Sequence, residues 1–443
     1  MSASTSALFQ PITVGDVTLQ HRIVMAPLTR FRASDEHVMG ELNHEYYEQR
    51  ASAPGTLIIT EATFIAAEAG GYKNAPGIWT EEQIAGWKKI VDTAHAKGSS
   101  IYLQLWALGA AGKKEVLAEE GGHPYTGAGD KVFEPFTEPP RPMTVEEIHQ
   151  FTEFYATASR NAVEKAGFDG VEVHMANGYL LDQFLQTNTN NRTDAYGGSV
   201  ENRIRFPLAA LDAVVAAVGV KRAALRISPW SEFQGMRMDD PIPTFSALVQ
   251  RVRETHPDLS YIHVIEPRVD GNDVREHVEG EADESNDFVR AIWGDRRIIS
   301  AGGFSRASGI EAAGKTGDLI AYGRSFIANP DLVRRLKEDL PLNVAERATY
   351  YTPGPVGYTD YPFAPAAATF ETVPEDEPAS HASSISEHTA VSEDHSMKAK
   401  TRSQSQRRRR SAMKSVLDVV VSLIREAPFS PARKTHALQA VKA

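Results

Sequence analysis

The chain has 443 residues, 42% of them hydrophobic and 24% charged, the composition of a soluble globular protein long enough to bury a large core. A net charge of -11 argues against nucleic acid as a principal partner, and the absence of cysteine excludes disulfides, thiolate nucleophiles, zinc–thiolate sites and iron–sulfur clusters. Apolar runs stay at strand length and the N-terminus MSASTSALFQPITVGDV lacks the pattern of a secretory signal, so the expected address is cytoplasmic, with no transmembrane segment.

Eight apolar runs follow one another through the first three quarters of the chain: HRIVMAPLT, GTLIITEA, SSIYLQLW, FDGVEVHMA, RAALRISP, SYIHVIEP, RRIISAGG and DLIAYGRSF. Each is near-continuously apolar, as a parallel strand covered on both faces should be. Helical patterns lie between them. TEEQIAGWKKIVDTAHAKG opens on a Thr N-cap with Glu in the first turn and closes on Lys97 and Gly98, and VEEIHQFTEFYATASRNAVEKAG has the same logic. The alternation predicts an α/β fold, a (β/α)8 TIM barrel spanning residues 1–365. The stretch from Gly109 to Met143, rich in Pro and Gly, is expected to be a long surface loop with some short strand, able to cover the barrel mouth.

Beyond that boundary the composition changes. Residues 366–443 run from an acidic, Ser-rich segment to the basic KAKTRSQSQRRRR, and neither can bury a core, so a disordered tail is expected. A short helix is expected near 412–427. With Arg407 to Arg410 it is read either as a weakly helical tail or as an element that docks on a membrane surface or a partner.

Thr29, Glu61, Gln104, His174, Arg226, Glu266, Gly302 with Gly303, and Arg324 fall at or near the ends of successive strands, which in this barrel is the active face. Polar residues can simply mark where a strand stops, but eight positions of this chemistry point to a site. The densest cluster is His174, Asn177 and Tyr179, at the end of GVEVH. Other chemistries lack their signatures. GAAGKKEV does not have the spacing of a phosphate loop, none of the 14 histidines sits in an HExxH-like pattern, and there is no GxSxG elbow, so no metal site is expected.

Gly302, Gly303 and Gly323, with the cation of Arg324, follow the seventh and eighth strands, where this fold recurrently holds phosphate; the glycines can equally serve tight turns. A cofactor anchored there would lay its ring against Thr29, Gln104 and Arg226, whose hydroxyl, amide and guanidinium suit an isoalloxazine. The competing roles are a loop cap for Thr29, a satisfied barrel polar group for Gln104, and an ion pair with Glu61 or Glu266 for Arg226.

The strings MAPLTRFRA, ITEATFIAAEAGGYKNAPGIW, LQLWALG, GFDGVEVHMANGYLLDQFLQTNTNNRTDAYGGSVENRIRF, RISPW and YGRSFIANPDL, in this order from about Leu8 to Pro362, resemble the Old Yellow Enzyme family, and its fungal members more than its bacterial ones. The resemblance implies an FMN-dependent, NADPH-using ene-reductase. It implies that Pro27, Leu28, Thr29, Ala62, Gln104 and Arg226 contact the flavin ring, and that Gly302, Gly303, Gly323 and Arg324 hold the phosphate. His174 and Asn177 would bind the carbonyl of an α,β-unsaturated aldehyde or ketone, with hydride from flavin N5 reaching the β-carbon and Tyr179 protonating the α-carbon. Members that replace this Tyr can lose net reduction. Tyr72, Trp106 and Tyr351 match aromatic positions around the substrate cavity.

The chain departs from the family at Ala62, where some relatives have Gly, and at Gly303, where some have Asn. The Gly109 to Met143 loop and the WSEFQGMRMDD stretch match weakly, and these shape the pocket. Two alternatives stay open beside a general ene-reductase: a pathway-specific member acting on one unsaturated aldehyde of secondary metabolism, of the ergot-alkaloid kind, and a flavin-bearing scaffold that acts through its tail. The expected partner is a small-molecule carbonyl compound, and the expected assembly a monomer or homodimer.

Overall fold

The computed structural model describes residues 6–270, 273–274 and 284–365. The expectations for residues 366–443 lie outside the described residues.

Eight parallel strands close on themselves: β1 (Ile23–Met25), β2 (Leu57–Ile59), β3 (Ser100–Trp106), β4 (Gly170–Met175), β5 (Ala223–Ile227), β6 (Ile262–Ile265), β7 (Ile298–Ala301) and β8 (Leu319–Tyr322). Each pairs with the next, and β8 returns to β1 through Ile320 opposite Ile23, completing the (β/α)8 barrel. A two-residue strand, Thr63–Phe64, extends the rim beside Leu105 and Trp106. All eight expected runs form barrel strands.

Helices α1 (Glu41–Arg50), α2 (Glu81–Ala96), α3 (Val145–Arg160), α4 (Arg205–Val218), α5 (Ile242–Thr255), α6 (Asp287–Trp293), α7 (Arg306–Thr316) and α8 (Leu332–Glu338) surround the strands. The caps are those the sequence announces. Thr80 Oγ1 accepts from Gln83 N while Gln83 Oε1 accepts from Thr80 N, and Gly98 leaves α2 with φ +76°. Thr144 and Glu147 repeat the box on α3. That helix does not run regularly to its end: Asn161–Ala166 is a π-turn, where the Asn161 amide donates to Ile78 O.

Two apolar cores result from the alternation of side chains along each strand. Val24, Leu57, Ile59, Tyr102, Ala224, Ile299 and Leu319 face inward and meet Ile12, Val14 and Leu19 of an N-terminal hairpin (Ile12–Val14 with Val17–Leu19). The intervening residues, such as Ile58, Leu103 and Val173, pack outward against Trp87, Tyr155 and Phe206 of the helices. The floor of the barrel is therefore apolar, and polarity rises toward the C-terminal ends of the strands.

The Gly109 to Met143 connection contains the expected short strand, Thr126–Gly127 beside Arg141–Pro142, together with a helix, Lys114–Glu119, that its sequence does not announce. Six residues are too few to show a helical period. Val116 and Leu117 nevertheless bury its inner face.

Candidate active site

The strand ends open into a cavity of about 840 Å³, and a recess of about 370 Å³ adjoins it through shared walls at Pro27, Leu28, Asn177, Arg226 and Arg324. Thr29, Ala62, Tyr72, Gln104, Trp106, His174, Tyr179 and Tyr351 line the larger space. Gly302, Gly303 and Gly323 line the smaller. Every residue to which the sequence assigned a flavin, phosphate or substrate contact thus reaches one connected pair of cavities. Glu61 and Glu266 do not: Glu61 accepts from Arg30 N and the Tyr47 hydroxyl, and Glu266 pairs with Arg290. Neither forms the ion pair with Arg226 that was the competing expectation, and Arg226 Nε is buried without a hydrogen-bond partner among the described residues.

His174 sits on the inner face of β4, where its Nδ1 accepts from Ala176 N at 3.3 Å. That bond places the ring proton on Nε2. Burial, followed by the positive charge of Arg226, holds the imidazole well below its ordinary pKa, so it is a neutral N–H donor at physiological pH. The chain then turns sharply. Asn177 adopts φ +57°, a left-handed conformation that a non-glycine residue holds at some cost. Its backbone N–H donates to Ser228 Oγ at 2.8 Å and its carbonyl accepts from Gln234 Nε2 at 2.6 Å. Both bonds use backbone atoms and leave the side-chain amide available to a ligand. Tyr179 follows, edge-on to Trp106 at 4.8 Å and to His174 at 5.2 Å between centroids. Burial pushes its phenol well above its ordinary value, so it carries its proton throughout the neutral range.

Beneath this cluster lies a polar layer inside the barrel. Gln104 Nε2 donates to Glu172 Oε1 at 2.6 Å, and Glu172 Oε2 meets His263 Nδ1 at 2.9 Å. Burial opposes ionisation of Glu172, but the neighbouring His263, Arg226 and Gln104 outweigh it and hold the carboxyl below its ordinary pKa. Fully buried charge is rare in a barrel whose interior is normally packed with branched apolar side chains. Here it leaves Arg226 Nε and His263 Nε2 unpartnered. The orphaned Arg226 Nε, with Thr29 and Gln104 on the same cavity wall, fits a flat heterocycle with several carbonyl and N–H groups.

The recess fits a phosphate. Arg324 opens a short helix after β8, is exposed to the recess, and no carboxylate engages its guanidinium among the described residues. A Cβ at Gly323 would stand 3.2 Å from Leu28 Cδ2. Gly302 has a packing reason of its own, because a Cβ there would lie 2.5 Å from Glu266 Cβ, and its carbonyl accepts from Arg268 Nε.

Several residues of the site were not singled out in the sequence. Phe31 links Tyr351 (5.5 Å) to Tyr72 (5.8 Å), and Tyr72 meets Trp106 at 5.7 Å, so one aromatic wall runs from the rim to Tyr179. Phe31 has φ +52°, which no sequence pattern discloses. Tyr350, Tyr351, Pro353 and Gly354 come to the cavity on a C-terminal strap. Arg30 holds it through Tyr350 O and Gly357 O, and Arg32 through Gly354 O, Tyr350 O, Thr349 O and Val356 O. Glu172 and Asp182 were also missed. Their signal was legible: each is a lone acid in an apolar run, GVEVH and YLLDQFL.

The chain matches the NADH:flavin oxidoreductase / NADH oxidase family across residues 7–343. It is 48% identical over 362 residues to a chanoclavine-I aldehyde reductase of Penicillium roqueforti, covering 80% of this chain and 96% of the relative. An NADP-dependent oxidoreductase of Aspergillus flavus is 46% identical over 374 residues, covering 82% and 97%. Among solved structures, the Old Yellow Enzyme of Pichia sp. AKU4542 superposes with a TM-score of 0.75 at 38% identity, over 82% of this chain and 95% of that one. With a site fitted to a phosphate-bearing heterocycle, these similarities establish that the chain belongs to the NADH:flavin oxidoreductase / NADH oxidase family as a fungal Old Yellow Enzyme, an oxidoreductase with FMN as its cofactor and a nicotinamide as its cosubstrate.

Proposed function

We propose that this protein is an ene-reductase that draws hydride from NADPH and saturates the activated C=C bond of an α,β-unsaturated aldehyde or ketone. The observation that carries the reading is the convergence of a neutral His174, the unengaged Asn177 amide and the protonated Tyr179 phenol on one cavity. FMN, when bound, supplies hydride to the β-carbon. The chain's own residues do the rest. His174 Nε2–H and the Asn177 amide donate to the carbonyl oxygen, where negative charge develops as the β-carbon is attacked. Each such donor is worth about 2.7–4 kcal/mol of barrier when preorganised in a water-poor site. Tyr179 delivers the proton to the α-carbon. The aromatic wall from Tyr351 to Trp106 excludes water and holds an apolar skeleton against the ring.

NADPH and the acceptor take turns in the same cavity, so the kinetics are ping-pong. Anaerobic NADPH should bleach the flavin absorbance of the purified protein, and 2-cyclohexenone should restore it. A flavin that NADPH reduces but no enone or enal reoxidises would overturn the reading.

A more specific version has its own support. The Penicillium relative is by its name an aldehyde reductase, and the large aromatic cavity suits a polycyclic enal better than a small enone. Under this version such an enal is preferred over cyclohexenone by kcat/KM. The scaffold reading is weakened by retention of the complete His174, Asn177 and Tyr179 cluster. We place the activity in the cytoplasm. Among the described residues no helix is long and apolar enough to cross a membrane.

A further inference from the structure

Asp182 is the fully buried acid of the short helix Leu180–Leu185, and no cation among the described residues pairs with it. Its carboxylate receives three donors. Gly178 N–H donates to Oδ2 at 2.9 Å, Gln186 Nε2 donates to Oδ1 at 3.0 Å, and the Ser228 hydroxyl is the third. Ser228 Oγ in turn accepts the Asn177 N–H at 2.8 Å. One carboxylate therefore anchors two consecutive backbone amides, that of Gly178 directly and that of Asn177 through one hydroxyl. These residues have φ +74° and φ +57°. A left-handed asparagine beside a left-handed glycine is a conformation that the surroundings must hold. The other side of the turn is closed by Gln234, which donates to Asn177 O and whose Cβ would lie 2.8 Å from a Cβ at residue 178.

The geometry points to Asp182 as the positioning residue that, through Ser228 and Gly178, fixes the Asn177 turn and so aims the Asn177 amide at the substrate carbonyl. The inference rests on the carbonyl-binding role proposed above for Asn177. It requires two oxygens that both accept, which Asp182 supplies when ionised; burial raises its carboxyl from 3.8 to about 7 against the three donors, so the comparison is made at pH 8. Gln186 Oε1 is committed to Met238 N at 2.9 Å, so Gln186 cannot turn its amide over without losing that bond. In Asp182→Asn the new NH2 must then face a donor at one end of the group, and the turn loses an anchor.

The test uses the FMN-loaded protein reduced with dithionite and mixed with 2-cyclohexenone in a stopped flow, which isolates the step in which Asn177 acts. Asp182→Asn is expected to keep its FMN and flavin spectrum and to slow reoxidation at saturating enone roughly 10- to 100-fold, the usual loss for a misplacement of about 1 Å. Asn177→Ala should also slow it. The double variant should be no slower than Asn177→Ala alone, because Asp182 acts only through Asn177. The absorption shift of bound 4-nitrophenolate, whose oxygen carries the charge that an enolate oxygen develops, should weaken in the same pattern. Losses that multiply in the double variant, or an Asp182→Asn protein as fast as the parent while Asn177→Ala is slow, would overturn the assignment alone. An Asn177→Ala protein of unchanged rate would overturn the carbonyl-binding reading and this inference with it. Should Asp182→Asn fail to fold, Ser228→Ala, which cuts the relay at its middle, carries the same comparisons.

Discussion

Gln104 Nε2 donates to Glu172 Oε1 at 2.6 Å, so the amide that lines the cofactor cavity is set by a carboxylate with no access to solvent. Glu172 lies two residues before His174 on the same face of β4, and opposite Gln104 in register. Its charge therefore sits behind the cavity wall that would hold the flavin ring and partly offsets Arg226. Glu172→Gln can keep both hydrogen bonds, donating to His263 Nδ1 once that ring moves its proton to Nε2. What it removes is the negative charge. Reduced flavin gains negative charge, so the variant should favour it and raise the midpoint potential, by about 30 mV for each 1.4 kcal/mol of relieved repulsion. A potentiometric dye titration reads this directly. An unchanged or lowered potential would mean that the charge is not felt at the ring.

Tyr179→Phe tests the proton delivery proposed for this residue. Flavin reduction by NADPH should persist, while reoxidation by an enone falls about 10²- to 10⁴-fold, the usual range for loss of a positioned general acid. Because burial lifts the phenol well above its ordinary pKa, the parent's enone step should show no alkaline loss from this group below pH 10. Rapid-reaction absorbance of each half-reaction across pH 6–10 checks both statements. An alkaline limb that appears below pH 9 and vanishes in the Phe variant would contradict the assigned environment.

Arg324 should supply a large part of the affinity for the FMN phosphate. A charge-assisted contact of this kind is worth about 1.5–3 kcal/mol, so Arg324→Ala should weaken FMN binding roughly 10- to 150-fold. Fluorescence titration of the apoprotein measures it. Removing FMN from the parent should also lower Tm, by an amount that grows with the FMN concentration of the reference sample, and the variant should show less of this shift.

Arg32 makes one expectation about the strap. It donates to four strap carbonyls, at Thr349, Tyr350, Gly354 and Val356, and its guanidinium lies 4.5 Å from the Tyr358 ring centroid. Arg32→Ala should release the segment that carries Tyr350 and Tyr351 to the cavity. Limited proteolysis should then cut between residues 349 and 357, and KM for an enone should rise more than kcat falls. Equal resistance to protease in the variant and the parent would show that Arg30 and the stacked pair Tyr46 and Tyr358 hold the strap unaided.

These features differ in how far the sequence discloses them. The barrel was legible because each buried strand is a continuous apolar run and each helix carries its cap chemistry, as at Thr80 and Thr144. The cavity residues were legible because strand ends concentrate directional polar groups, and His174, Asn177 and Tyr179 fall within six positions. What stayed hidden depends on contacts distant in the chain or on backbone conformation. Arg30 and Arg32 find their carbonyls more than 300 residues away, and Phe31 joins the aromatic wall through a positive φ. Arg226 illustrates a third kind: that its charge faces Glu172, and neither Glu61 nor Glu266, emerges only when those two are seen to be engaged elsewhere.

Glu61 gives the pH dependence. Burial raises its carboxyl from the ordinary 4.5 to about 7, despite hydrogen bonds from Arg30 N and the Tyr47 hydroxyl. Between those values the folded protein holds a proton that the unfolded chain has released. Stability from this group is therefore fully present below about pH 4.5 and is lost as pH rises through about 7. His21 works in the opposite direction over part of the range. Burial lowers it from 6.5 to about 4, so its contribution grows as pH rises through that window. The net slope of the parent mixes the two, and a difference between proteins separates them. Glu61→Gln cannot titrate, so the stability of the parent relative to the variant should decline between pH 5 and pH 7 and level off above it. Urea unfolding at a series of pH values measures that difference. A difference that rises with pH would mean that the folded protein holds Glu61 ionised, paired with the Arg30 charge more strongly than burial opposes it.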